Sequence, residues 1–103
     1  MSDYRAPLQD IRFNLEELAG LAEIRQLPHF HEATADVVDA VLEESGRLAT
    51  EVLAPLNTVG DRTGNRVVDR KVVPPEGFKS AYRAFVDGGW PALPFAPERG
   101  GQG

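Results

Sequence analysis

The residues best suited to chemistry are few, and they do not cluster. His29 and His31 stand two apart in "HFH", with Glu32 beside them. Imidazole and carboxylate groups are common zinc ligands, so this run invites a metal reading. On a helix, positions i and i+2 point about 200° apart, and only an extended backbone aims both rings the same way. The run lies between Pro28 and the start of a helical pattern, and no second ligand cluster exists in the chain. Surface or capping roles for both histidines are the simpler expectation.

Paired carboxylates occur at Glu16–Glu17 and Glu43–Glu44. Helical neighbours diverge by about 100°, so adjacency alone makes no general acid/base pair, and a solvated helix face is expected. Ser2, Ser45 and Ser80 lack the G-x-S-x-G surroundings of an activated nucleophile. Ser45 falls on an apolar stripe, where a hydroxyl bonds back to the preceding turn or permits close helix approach. Asp61–Arg62 in "GDRTGN" reads as a turn with a local ion pair. The terminal Gly100–Gly103, "GGQG", lacks the strand before it and the helix after it that a phosphate-cradling loop requires. No catalytic, cofactor-binding or metal residue is assigned on this reading.

Composition narrows the classes. The 103 residues suffice for one small domain with a thin core. Hydrophobic residues make up 42% and charged residues 26%, an ordinary globular balance. A formal charge of −5 without a basic cluster disfavours nucleic acid. With no cysteine, disulfide frameworks, thiolate metal sites and thiol nucleophiles are excluded. The N-terminus shows no secretory pattern, and no apolar run approaches the ~20 residues of a membrane span. A cytoplasmic chain is expected.

The elements that must carry these residues are mainly helical. "ATADVVDAVLEESGRLATEVLAPL", Ala33 to Leu56, places Val38, Val41, Leu42, Leu48, Ala49, Val52, Leu53 and Leu56 on one stripe. Asp36, Asp39, Glu43, Glu44, Arg47 and Glu51 fall away from it as a solvated face. Thr34 suits the N-cap, Asp36 the first turn, and Pro55 ends or kinks the helix. A second stripe, Phe78, Ala81, Tyr82, Phe85 and Val86, predicts a helix opened by Pro75 and stopped by Gly88 or Gly89. A shorter one, with Leu8, Ile11, Leu15, Leu18 and Ala22 on one face, has Asp10 as its cap and Gly20 as its stop. Between the two longer helices, Gly60, Gly64 and Asn65 mark turns, and Val67–Val68 with Val72–Val73 suggest a brief extended pair. The expectation is an all-α chain of three helices joined by one long ordered loop. Their broad apolar faces exceed what so little chain can cover, which points to further chain or a partner.

Taken in order, four stretches resemble one family. "YRAPLQDIRFNLEEL" carries Tyr4, Ala6, Pro7, Leu8, Asp10 and Phe13, and "VLAPLNTVGDRTGN" carries Ala54, Pro55, Leu56, Asn57, Gly60, Asp61 and Gly64. "PPEGFKSAYRAFVDGGW" adds Pro75, Gly77, Phe78, Lys79, Ala81, Tyr82, Gly89 and Trp90; "PERGGQG" adds Pro97, Glu98, Gly100, Gly101, Gln102 and Gly103. Together they resemble the start of an acyl-CoA dehydrogenase, in the branch whose N-terminal extension precedes the helical domain. Arg99 stands where that family commonly has an aromatic residue, and Pro91 and Pro94 make the final segment more proline-rich than usual.

The resemblance implies a parent flavoprotein with a helical N-terminal domain, a middle β-domain and a C-terminal helical bundle, with FAD between the latter two. A glutamate base there removes the α-proton of an acyl-CoA thioester while flavin N5 accepts the β-hydride. Those groups are expected beyond Gly103, and FAD is not expected on these residues alone. Residues 1–27 would form the extension and 28–103 the first part of the helical domain, cut short at Gly103. The implied partners are the remainder of the chain, the acyl-CoA substrate and further copies in a homo-oligomer. Two other readings remain open at this point: a free-standing helical module that dimerises through its apolar faces, and a metal-linked helical domain using His29 and His31.

Overall fold

The computed structural model describes residues 3–103; Met1 and Ser2, the latter among the serines weighed above, lie outside the described residues. Helix α1 (Leu8–Phe13) runs directly into a wider, i→i+5 turn over Asn14–Leu18. Asn14 Nδ2 donates to the Asp10 carbonyl at 2.7 Å, and the Ala19 N–H reaches back to the Asn14 carbonyl at 2.9 Å. A side-chain donor placed in the ladder is a recognised cause of such local widening. Asp10 is not the cap, as the sequence suggested: Pro7 holds that position, and Asp10 lies in the first turn, where the helix dipole favours it. Gly20, at φ 69°, ends the run as expected. Ala22 consequently sits on a separate short helix, α2 (Leu21–Ile24), rather than on the stripe of Leu8 and Ile11.

Thr34 caps α3 (Ala35–Arg47), its Oγ1 accepting the Val37 N–H at 3.3 Å, with Asp36 in the first turn. Ser45 Oγ donates to the Leu42 carbonyl at 2.9 Å, the back-bond expected of it. Beyond Arg47 the helix neither stops nor breaks at Pro55. It passes through a second wide turn, Leu48–Leu53, into α4 (Ala54–Thr63). In a regular α-helix the Pro55 ring would press on the Glu51 carbonyl, four residues back. A wide turn immediately before the proline makes room for the ring, so the helix survives it. The expected turn at Gly60 is therefore overturned: Gly60 is helical, and α4 ends at Gly64. Asp61 and Arg62 share that helix, and no ion pair forms between them.

The extended pair is present as β1 (Arg66–Val68) and β2 (Lys71–Val73), antiparallel with Val67 opposite Val72. Asp69 and Arg70 make the two-residue turn, both at positive φ (51° and 62°), the twist that matches paired strands. Pro75 does not open the next helix. It accepts the Phe78 N–H at 3.3 Å in a preceding turn, and α5 (Phe78–Asp87) starts after Gly77. Gly89, at φ 80°, is the left-handed stop. The closing stretch then folds back on itself. Gln102 N–H donates to the Ala92 carbonyl at 3.1 Å, and Gly103 N–H to the Phe95 carbonyl at 2.9 Å.

The whole is mostly helical with one small hairpin, and it is open. Its Cα radius of gyration is 17.2 Å, against about 13 Å for a compact chain of this length. Among the described residues no side chain is fully enclosed: Ala81, 5% exposed, and Pro75 are the buried apolar ones. Packing is local instead: α1 lies on α3, where the Leu8 methyls come within 3.3 Å of the place a Cβ would take at Gly46. Arg12 fastens the same contact, its Nε 2.7 Å from Asp39 Oδ1 and its Nη2 3.5 Å from Glu43 Oε1.

Candidate functional site

A groove of about 820 Å³ lies between α4 and α5. One wall carries Leu53 and Leu56, the other Phe78, Tyr82 and Phe85. Gly60 makes the close approach possible: a Cβ there would lie 2.8 Å from Phe78 Cζ, so the phenyl ring rests on the glycine. The stripe on α5 and the C-terminal end of the stripe on the long helix were both legible in the sequence. Their meeting across Gly60 was not, because a glycine in a run of turn-forming residues reads as a break.

Three polar side chains line the groove, Asn57, Asp61 and Asn65, and no lysine or arginine does. Asp61 makes no hydrogen bond or ion pair with the described residues. A smaller hollow of about 360 Å³, bounded by Tyr4, Ala49 and Ala54, shares Leu53 and Asn57 with the groove. The two hollows meet at the end of the wide turn before Pro55. Leu53, Phe78, Tyr82 and Val86 all remain exposed, Tyr82 to 68%. Chemically this surface is apolar with one uncompensated carboxylate. It can bind a hydrophobic ridge, and it offers no nucleophile, no base pair and no anion cradle.

The other residues considered from sequence lie apart from it. His29 falls in the short 3-10 turn Pro28–Phe30, and His31 Nδ1 lies 2.6 Å from the Pro28 carbonyl, tied to its own turn. Among the described residues no three His, Asp or Glu side chains come together as a metal site would require. Glu16 pairs with Arg25 at 3.0 Å, and Arg25 Nε also donates to the Ala33 carbonyl at 2.8 Å, which anchors the connection between α2 and α3. Glu44 pairs with Arg47 along α3 at 2.8 Å. Asp39, Glu43 and Glu44 thus lie on an exposed face, as expected, while making ion pairs with Arg12 and Arg47. Ser80 Oγ donates to the Gly77 carbonyl at 3.0 Å, a local bond at the start of α5. No helix among the described residues is long and apolar enough to cross a membrane.

No protein-family model matches the chain. Individual proteins do. Over 100 residues, 97% of its length, it is 44% identical to a 3-methylmercaptopropionyl-CoA dehydrogenase of Ruegeria pomeroyi, covering 17% of that protein. It is 34% identical over 93 residues to a broad-specificity linear acyl-CoA dehydrogenase, FadE5, of Mycobacterium tuberculosis, covering 15% of it. To a butyryl-CoA dehydrogenase of Syntrophomonas wolfei it is 25% identical over 92 residues, again 15% of that protein. The chain thus spans about a sixth of the length of the curated relatives it matches. Three acyl-CoA dehydrogenases align with 85% or more of these residues, in agreement with the four ordered stretches quoted above. Along nearly its whole length, this chain is a sequence relative of the acyl-CoA dehydrogenases.

Proposed function

We propose that these residues are the N-terminal helical part of a flavin-dependent acyl-CoA dehydrogenase that removes hydrogen from the α and β carbons of an acyl-CoA thioester. The observation that carries the reading is the 44% identity over 97% of the chain to a protein six times its length that acts on an acyl-CoA. Residues 1–27 act as the N-terminal extension and residues 28–103 as the first part of the helical domain, in a cytoplasmic homo-oligomer.

The described groove does not suit the flavin itself. A dinucleotide diphosphate calls for cations or a helix N-terminus around its charge, and here Asp61 adds a negative charge while the lining offers no lysine or arginine. No step through the flavin is therefore derived from these residues. Their part is structural: α3, its wide turn, α4 and α5 present an apolar surface for the rest of the enzyme to pack on. The catalytic base and the flavin contacts belong to that remainder, and the acyl-CoA is the substrate of the whole.

The test is expression of the complete coding sequence. The full-length protein is expected to purify yellow and to bleach on addition of an acyl-CoA, while residues 1–103 alone stay colourless and inactive. A full-length product with no flavin, or a native stop codon directly after Gly103, would overturn the reading in favour of a free-standing helical module.

A further inference from the structure

We infer that the groove between α4 and α5 is the seat of an amphipathic helix carried by the same polypeptide, with an apolar ridge against Tyr82 and a lysine or arginine at its rim facing Asp61. The inference rests on the proposed function, since it takes the rest of a longer chain as the occupant.

The surface area favours this occupant over a standard contact with a second copy. A compact protein of 11.2 kDa exposes about 5,700 Å². This chain exposes 8,414 Å². The surplus, about 2,700 Å², is more than three times the ~800 Å² that each partner buries in a standard two-body interface. One standard-sized dimer contact would leave most of the surplus open, and only an obligate interface of the largest class would cover it, whereas a covering polypeptide several times longer closes it without one. The relatives have such a length, because this chain spans only 15–17% of them.

The shape and charge of the groove define the occupant's chemistry. Two helices already form its walls, and Gly60 and Ala81 keep its floor low, so a third helix can lie along it with its ridge between theirs. Phe78 and Tyr82 stand one turn apart on the α5 wall, and Leu53 stands opposite, all three exposed. They call for large apolar side chains spaced by three or four residues. Asp61 is the one charged group in the lining and lacks a cationic partner, so the rim of the incoming helix should be basic at that level.

The experiment uses the full-length protein with p-benzoylphenylalanine in place of Tyr82, and the same group in place of exposed Lys79 as a control. Irradiation is expected to give intramolecular cross-links at position 82, mapped by peptide mass spectrometry to a helix beyond residue 103 that carries a lysine or arginine. Asp61→Lys should lower that yield by about threefold, the worth of one partly exposed ion pair. A band at twice the subunit mass would show a second copy in the groove and overturn the inference. So would a yield no higher than that of the Lys79 control, or a cross-link to a segment that is not helical or lacks a basic residue. Acyl-CoA-dependent bleaching is read in parallel on the same protein. Its absence with the cross-link intact sinks the enzyme reading and not the groove, and the reverse result sinks only the groove.

Discussion

Arg12 shows how little a single contact holds in so open a structure, and how that little can be measured. Its guanidinium reaches both Asp39 and Glu43 across the α1–α3 contact, with 35% of the arginine side chain and more than half of each carboxylate side chain exposed. Exposed pairs of this kind contribute about 0.2–1 kcal/mol. Arg12→Ala is therefore expected to speed amide hydrogen exchange in α1 less than about fivefold, the equivalent of 1 kcal/mol. The difference should fade in 1 M salt, where the screening length shrinks to about 3 Å. Leu8 rests its methyls on Gly46 with no charge involved, so Leu8→Ala should accelerate the same exchange more, and without salt dependence. An equal, salt-independent effect of both substitutions would mean that Arg12 acts through its packed stem and not its charge.

The helices were the legible elements, and the way they join was not. Stripes of three-and-four spacing announced α3 and α5, and Thr34, Gly20 and Gly89 act where their chemistry placed them. Pro55 and Gly60 misled for one physical reason: propensity prices each residue alone, and here tertiary and backbone adjustments absorb both. The proline loses nothing where the turn is already wide, and the glycine gains a phenyl ring over its bare backbone. The sequence pattern of "GDRTGN" is that of a loop, yet Asp61 and Arg62 are held in α4 by the helix on either side of them. Likewise, the groove was half visible, as two apolar stripes, and half hidden, since periodicity carries no information about which stripes will face each other. One prediction separates the accommodated proline from an ordinary one. Pro55→Ala should change unfolding free energy by less than about 1 kcal/mol, whereas Val59→Pro, one turn on within regular helix, should cost about 3 kcal/mol or more. Helical circular dichroism through a urea titration of the full-length protein measures both. A large gain from Pro55→Ala would show that the wide turn holds residual strain.

At the scale of the molecule, area and shape dominate. A chain measuring 53 × 34 × 18 Å, with no large apolar side chain fully enclosed among the described residues, has contacts between neighbours and no common centre. Residues 1–103 taken alone should accordingly associate as concentration rises, to shelter Tyr82, Val86 and Leu53. Sedimentation equilibrium checks this, and a well-folded monomer at high concentration would contradict it.

The wide turn at Leu48–Leu53 has a consequence for how sequences of this kind should be compared. An i→i+5 turn accommodates one residue more than the α-helical cycle needs, without interrupting the rod. It works as a phase slip: every position from Ala54 onward is turned by about 100° relative to where an unbroken helix would carry it. Gly60, beneath Phe78, lies downstream of that slip. A relative built on a regular helix would have to lose one residue here to aim the same glycine at the same ring. A single-residue gap in this window would then be a change of helical pitch, with no loop altered and the chain direction kept.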